Sequence, residues 1–211
     1  MLGAGRTDSG VHALGQVVAF DLDWGHGEEA LRRAMNANLP PDLSVWEVGA
    51  APQDFHPRFQ AHSRRYRYAI YCSRVRQPLR DRVAWRVHQE FRIEPLEQAT
   101  RTLIGRQDFA AFGSAPEPGG HTVRTVLRAG WRQTPAESSW GTTPPTGGWA
   151  FEIEADAFLH QMVRTVVGTL KQVAVGALSP EEFGSLMAAR RRDAAGPPAP
   201  ACGLCLMEVT Y

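Results

Sequence analysis

Apolar and polar positions along the chain follow two periods, and these periods predict its helices and strands. Apolar residues at helical spacing predict four helices, over 28–38, 94–104, 158–175 and 180–190. Alternation with a period of two, together with β-branched and aromatic residues, predicts strands over 15–22, 43–48, 65–71, 83–87, 122–132, 149–155 and 203–211. Strands come in neighbouring pairs with helices between them, which favours an α+β fold with antiparallel sheet over a doubly wound α/β fold.

Length and composition are those of an ordinary soluble protein. The 211 residues suit one large domain or two small ones sharing a core, and 43% hydrophobic with 21% charged residues is a typical balance. A stretch rich in Pro, Gly, Ser and Thr, 134–148, predicts an exposed hairpin loop. No apolar run approaches the roughly 20 residues that span a bilayer, and the N-terminus lacks the apolar segment of a signal peptide. We therefore expect a cytoplasmic protein without membrane contact.

The three cysteines indicate neither a disulfide framework nor a metal centre. Cys202 and Cys205 form a single C-x-x-C pair, and Cys72 lies far from both in the sequence. A structural zinc site needs four ligands at compatible spacing, and the sequence offers no second pair. We therefore favour packed thiols in an apolar C-terminal strand over metal or redox use.

Charge is unevenly distributed, although the formal net charge is only +1. Residues 55–86 carry one acid, Asp81, and nine arginines: Arg58, Arg64, Arg65, Arg67, Arg74, Arg76, Arg80, Arg82 and Arg86. Arginine clusters bind phosphates, and interleaved aromatic rings stack on unpaired RNA bases, so this segment favours an RNA partner. Two alternatives remain open: the chain uses arginine almost throughout, with Lys171 as its single lysine, and Tyr66 and Tyr68 could instead turn into the core.

Asp8 is the candidate catalytic acid. It lies beside Arg6 and among Gly3, Gly5 and Gly10, which permit a tight turn and the close approach of a ligand. An acid in this setting suits a nucleophile or a general base. The alternative is a turn in which the side chain of Asp8 caps backbone amides.

Arg164 carries a permanent charge on the apolar stripe of a predicted helix. Burying an unpaired cation is costly, so we expect a partner, and a carboxylate in that position would stay ionised. Asp8, Asp156 or a phosphate could be that partner. Alternatively, the side chain reaches the surface from the edge of the helix.

Six segments, in this order, resemble motifs of the TruA-type tRNA pseudouridine synthases. From residue 3 to residue 211 they are GAGRTDSGVHALGQVVAF, NANLPPDLSVWEV, FHPRFQAHSRRYRYAIY, GRQDFAAF, DAFLHQMVRTVVGTL and AGPPAPACGLCLMEVTY. The resemblance implies the pseudouridine synthase fold, in which two ferredoxin-like (RRM-like) halves share a mixed, mostly antiparallel sheet. We place the halves at 1–62, which carries the catalytic loop, and 63–211.

The resemblance also implies the reaction, in which uracil is detached from its ribose, turned, and rejoined through C5 instead of N1. The implied substrate is uridine at tRNA positions 38 to 40 in the anticodon stem-loop, without cofactor or metal, and the implied assembly is a homodimer. Asp8 matches the catalytic aspartate, and Arg164 matches the basic residue that pairs with it. Tyr66 matches the ring that packs on the target base, and Arg6 the arginine of base flipping. Further candidates for substrate binding are Arg58, Arg65 and Arg67.

In that family the aspartate motif follows a strand, a helix and a second strand. We therefore expect the first half to be incomplete at its N-terminus, with an exposed sheet edge and uncovered apolar surface. We also expect the 211-residue chain to be less stable and less active than a version that carries such a segment. A non-catalytic RNA-binding remnant is the alternative function, and a carboxylate-dependent hydrolase, for which no second catalytic acid is evident, is a third. Intact Asp8, Tyr66 and Arg164 favour the enzyme.

Overall fold

A computed structural model describes residues 1–115, 119–134 and 147–211 of the chain. Residues 135–146 of the predicted hairpin loop lie outside these described residues. None of the described helices is long and apolar enough to cross a membrane.

Within the described residues, α-helices form where the apolar spacing predicts them. They are α1 (Glu28–Asn38), α2 (Ile93–Arg101), α3 (Met162–Ala174) and α4 (Pro180–Ala188). A capping box begins α4, because Ser179 Oγ accepts the Glu182 N–H at 3.1 Å and the Glu182 carboxylate accepts the Ser179 N–H at 2.7 Å. The third helix begins later than predicted, because Gln161 adopts a left-handed conformation with a φ of 59°.

The described strands form one large sheet and a separate short pair. They are β1 (Leu2–Gly3), β2 (His12–Ala13), β3 (Val18–Ala19), β4 (Ser63–Cys72), β5 (Trp85–Val87), β6 (Gly105–Asp108), β7 (Val123–Thr134), β8 (Gly148–Ala155) and β9 (Leu204–Thr210). The sheet runs β2-β9-β4-β8-β7-β6 with β5 beside β4, while β1 pairs with β3. Only the β2–β9 and β4–β5 contacts of this sheet are parallel. The predicted α+β fold with a mixed, mostly antiparallel sheet is confirmed.

Two strand predictions were wrong in extent or in kind. The strand predicted over 15–22 is confined to two residues, and residues 43–48 form no strand. A strand needs a neighbouring ladder, and the backbone of Val45 is satisfied by a side chain instead: Asn36 of α1 donates to Val45 O at 2.8 Å and accepts the Val45 N–H at 2.7 Å. The sequence of β6, GRQD, has no apolar alternation, and this strand was not predicted.

The large sheet has an apolar face and a charged face. Along β4, Tyr66, Tyr68 and Ile70 point into the hydrophobic core, which α2, α3 and α4 complete. Arg65 and Arg67 alternate with them and therefore point to the other face, among glutamates of β8 and β9. The segment 1–62 contributes β2 to this sheet, and the division of the chain at residue 62 stays a prediction.

Candidate active site

The loop between β1 and β2 presents Asp8. Its start is anchored by Ala4, which is 1% exposed and donates its N–H to Val17 O at 2.9 Å. The turn itself is closed by the backbone, since Asp8 O accepts the Val11 N–H at 3.1 Å and Gly10 supplies a positive φ of 80°. The carboxylate of Asp8 is turned instead toward two basic side chains.

Arg164 of α3 is the first of these partners, although 156 positions separate it from Asp8. Its Nη1 donates to Asp8 Oδ2 at 2.5 Å, and the two side chains are 17% and 25% exposed. Of the partners considered from the sequence, the structure therefore selects Asp8, and the surface-reaching alternative for Arg164 is wrong. The carboxylate of Asp156 accepts the backbone N–H groups of Thr125 and Ala157.

A backbone segment that we name the strap, residues 196–199, holds Arg164 in place. Arg164 Nε donates to Ala199 O at 2.8 Å, and the Ala199 N–H donates to Arg164 O at 2.9 Å. One turn along α3, a Cβ built on Gly168 would lie 1.9 Å from Pro197 O. Only glycine lets the strap approach the helix this closely, so Gly168 indirectly fixes the guanidinium that meets Asp8.

His160 is the second partner of Asp8 and was not among the candidates from the sequence. Its Nε2 lies 3.6 Å from Asp8 Oδ1, the oxygen that Arg164 leaves open, and its side chain is 61% exposed. The backbone N–H of His160 donates to Ser114 O at 3.1 Å, which fixes the segment before α3. His160 lies before α3 and is separated from it by the left-handed Gln161, so no helical period in the sequence indicated this contact.

Tyr66 lies at the boundary between the core and the Asp8 loop. Its side chain is 8% exposed, and its ring meets that of Phe158 edge-on with centroids 5.0 Å apart. A Cβ built on Gly5 would lie 3.7 Å from Tyr66 Oη, so this glycine leaves room beside the hydroxyl. Burial raises the pKa of Tyr66 to about 12; the nearby Arg64 acts in the opposite direction and the charge of Asp8 adds to the rise.

The two tyrosines of β4 differ in how their hydroxyls are satisfied. The fully buried Tyr68 donates to Pro200 O at 2.7 Å, as expected of a core tyrosine. Within the described residues, the Tyr66 hydroxyl makes no hydrogen bond. Tyr68 is therefore a core residue, which was the alternative to RNA binding, whereas the hydroxyl of Tyr66 is a donor that a substrate could use.

The structure does not gather the other arginine candidates around Asp8. Arg6 is exposed, and its side chain makes no hydrogen bond or salt bridge to any described residue. The Arg58 guanidinium lies 5.7 Å from the centroid of a neighbouring phenylalanine ring. Arg65 and Arg67 form salt bridges of 2.8 and 2.9 Å to glutamates on the charged face of the sheet. Contact of these four arginines with a substrate stays a prediction.

The arrangement provides a half-buried carboxylate with Oδ2 held by Arg164 and Oδ1 facing the exposed side chain of His160. Such a group can attack a carbon, accept a proton or stabilise a developing positive charge. No set of three or more His, Cys, Asp and Glu side chains that could hold a metal occurs in the described part of the chain. Cys202 and Cys205 are free thiols, and burial raises the pKa of each.

The sequence of this chain is similar to those of known proteins over its whole length. A family model described as tRNA pseudouridine synthase matches residues 99–211. The tRNA pseudouridine synthase A of Syntrophotalea carbinolica is 39% identical over 212 residues, which cover 100% of this chain and 79% of the relative. The chain belongs to the tRNA pseudouridine synthase family. Proteins of the same name from Chloroflexus aurantiacus and Bacillus subtilis are 39% and 35% identical, over 99% and 100% of this chain and 72% and 81% of the relatives.

Membership of the tRNA pseudouridine synthase family makes the chain an isomerase with the pseudouridine synthase fold. The family recognised from six sequence segments is thereby confirmed. The family model covers His160, Arg164 and the strap, whereas Asp8 and Tyr66 precede the matched range. The matches to the relatives from Syntrophotalea carbinolica and Bacillus subtilis extend over the whole of this chain and therefore span all of these positions.

Proposed function

We propose that this tRNA pseudouridine synthase converts uridine to pseudouridine at positions 38 to 40 of the tRNA anticodon stem-loop, with Asp8 as the catalytic carboxylate. The observation that carries the proposal is the pair of Asp8 and Arg164, in which Arg164 holds Oδ2 and does not contact Oδ1, the oxygen that faces the exposed His160. The names of the relatives support tRNA as the substrate. The resemblance of the six segments supports the anticodon stem-loop, a homodimer and a cytoplasmic location.

The first step is extrusion of the target nucleotide, because uracil cannot turn while it is stacked. Tyr66 then contacts the extruded base through its exposed edge and its available hydroxyl, since most of its ring is buried against Phe158. Arg6 is exposed at the entrance to the Asp8 turn, and its guanidinium is available to the RNA backbone or to the space that the base vacates.

The second step is cleavage of the glycosidic bond, which develops positive character on the sugar. The ionised carboxylate of Asp8 stabilises this charge, bonds to the sugar, or takes its 2′ proton. Arg164 aims the carboxylate, because it holds Oδ2 from a position that the strap fixes. The bonding electron pair leaves with the uracil. C5 then bonds to C1′, which breaks any bond from Asp8 to the sugar, or is accompanied by return of the 2′ proton from Asp8. Loss of the C5 proton to solvent restores the C5–C6 double bond, and N1 takes up a proton.

Release of tritium from C5-labelled uridine in tRNA tests the proposal directly. We expect release by the wild-type chain, and none from transcripts in which uridines 38 to 40 are replaced by cytidine. Asp8→Asn should abolish release while tRNA affinity stays within a few fold, because phosphate contacts dominate binding. Asp23→Asn, at an exposed aspartate, is the matched control and should retain wild-type turnover.

Two outcomes would contradict the proposal. Turnover by Asp8→Asn at the wild-type rate would remove this carboxylate from the mechanism. Absence of release by a folded wild-type chain that binds tRNA would favour the non-catalytic RNA-binding alternative.

A further inference from the structure

The structure divides the nine arginines of residues 55–86 into engaged and exposed groups. Arg64 is 8% exposed and donates to the backbone oxygens of Asp156 at 2.7 Å and Ala61 at 3.2 Å, so it supports the fold. Arg65 and Arg67 are engaged by glutamates on the charged face of the sheet. Arginines that are engaged in this way have less capacity to bind phosphate than the sequence alone suggests.

Three of the nine arginines are exposed on one short segment that we name the ledge, residues 74–83. They are Arg74, Arg76 and Arg82. The acid of the ledge, Asp81, accepts the Tyr71 hydroxyl and lies 3.5 Å from Arg76 Nε, so its charge is partly compensated. The ledge therefore presents a net positive outer surface.

Tyr71 of β4 and backbone hydrogen bonds hold the ledge in a defined shape. The Arg80 guanidinium lies 4.5 Å from the centroid of the Tyr71 ring, and the Tyr71 hydroxyl bonds to Asp81. Backbone hydrogen bonds from Asp81 N to Gln77 O at 2.8 Å and from Val83 N to Arg80 O at 3.0 Å close its turns. A surface that is ordered before binding loses less conformational entropy when a partner is bound.

The ledge adjoins the Asp8 loop on two sides. His12, four residues after Asp8, donates its Nε2 hydrogen to Arg82 O at 2.9 Å. Cys202 Sγ lies 4.0 Å from Ala84 O, just after the ledge, and Cys202 belongs to the short turn that follows the strap. The backbone at the end of the ledge is thus joined to the strand that follows the Asp8 loop and to the turn that follows the strap.

We propose that the ledge is a contact surface for the tRNA backbone beside the target uridine. This inference rests on the proposed function, because tRNA is the polyanion that it assigns to the site. Arg74, Arg76 and Arg82 pair with phosphate oxygens, which set the position of the RNA without reading its sequence. Val75, Leu79 and Val83, which are 73%, 71% and 55% exposed, lie on the same segment and are covered when the RNA is bound.

The salt dependence of binding tests the ledge. The triple variant Arg74→Ala, Arg76→Ala, Arg82→Ala is compared with wild type, using a tRNA transcript between about 50 and 200 mM salt. Each lost phosphate contact flattens the slope of log K against log salt by about 0.7–0.9, so three contacts flatten it by about 2 to 3. At the lowest salt we expect at least a roughly tenfold loss of affinity. The glutamine versions of the three substitutions are measured as well, in case the alanine variant fails to fold.

A matched control removes the same charge from elsewhere on the surface. Arg101, Arg106 and Arg192 are exposed and lie outside the ledge, and their triple alanine variant should keep the wild-type slope. The double variant Arg65→Ala, Arg67→Ala is measured in parallel, because these two arginines are separate candidates for RNA contact on the charged face of the sheet. The molecular mass of each variant is measured by sedimentation at the same concentrations.

Three results would overturn the inference: an unchanged slope in folded ledge variants, an equal flattening in the control, or loss of an oligomer without a change in slope. The last would identify the ledge as a contact between copies of this chain. A wild type that shows the ledge-dependent slope but releases no tritium would refute the proposed function and leave the ledge intact. If the wild type releases tritium but the ledge variants keep the wild-type salt slope, the inference about the ledge is refuted and the proposed function is retained.

Discussion

Replacement of Arg164 by methionine removes the hydrogen bonds to Asp8 Oδ2 and Ala199 O while it keeps most of the apolar volume in α3. A hydrogen bond to a charged group contributes about 1.5–3 kcal/mol, and breaking a fully buried ion pair costs about 3–5 kcal/mol. The side chains of Arg164 and Asp8 are 17% and 25% exposed, so the cost lies below that of a fully buried ion pair. We expect the free energy of unfolding to fall by about 2–3 kcal/mol, and Tm by about 4–12 °C.

Urea unfolding of Arg164→Met, Asp8→Asn and the double variant measures the coupling of the two side chains. We expect a coupling free energy of about 1–2 kcal/mol, because the double variant no longer leaves a charge without its partner. Arg164→Lys separates charge from geometry, since one ammonium cannot reproduce the planar donors that meet Asp8 and Ala199 together. It should recover part of the stability, with turnover still reduced by about 100-fold. A coupling below about 0.5 kcal/mol, or full turnover by Arg164→Lys, would refute this account of the pair.

Three further substitutions probe the groups around this pair. Gly168→Ala would place a Cβ 1.9 Å from a strap carbonyl, so it should lower the unfolding free energy and turnover together by displacing the strap, whereas Gly184→Ala, with its nearest atom at 3.8 Å, should do neither. His160→Ala removes the side chain that lies 3.6 Å from Asp8 Oδ1, so it should change turnover while the free energy of unfolding stays near that of the wild type; wild-type turnover would exclude this contact from the mechanism. The pKa of Tyr66 is raised from 10.0 to about 12, so its neutral form stabilises the fold below pH 10 and this contribution is lost as the pH rises through 12. Tyr66→Phe should therefore lose about 2–3 kcal/mol less over that interval in urea unfolding, and an identical loss would contradict the burial argument.

Local sequence determines the parts of this fold that depend on local periodicity. The helix predicted over 28–38 has those bounds in the structure, and α4 begins at residue 180 as predicted. The strand predicted over 43–48 did not form, because its hydrogen-bonding groups are satisfied through Asn36 and not by a neighbouring strand. Strand formation depends on a partner that is distant in sequence, which periodicity alone does not reveal.

In the candidate site as well, local sequence indicated which residues need a partner, whereas the partner itself lies far away in the sequence. A charge on the buried stripe of α3 predicted that Arg164 needs a partner, but three partners remained open because the choice depends on a contact across 156 positions. His160 was missed because its contact with Asp8 joins two segments that are distant in sequence, and because Gln161 places His160 outside α3. The glutamate partners of Arg65 and Arg67 were not predicted, because they lie on other strands, and contact of these two arginines with RNA stays a prediction.

The strap explains why so little of the site geometry is encoded near Asp8 itself. No helix or strand was predicted over the strap, yet Ala199 contacts both the backbone and the guanidinium of Arg164. That contact requires glycine at position 168, because a side chain there would collide with the strap. Gly168 has no functional group of its own, yet it controls the orientation of the Arg164 guanidinium. Asp8 also needs Ala4, whose buried position fixes the start of its loop. The direction of the carboxylate therefore depends on the packing of three distant segments, and substitutions in the strap should affect turnover even though none of its side chains reaches Asp8.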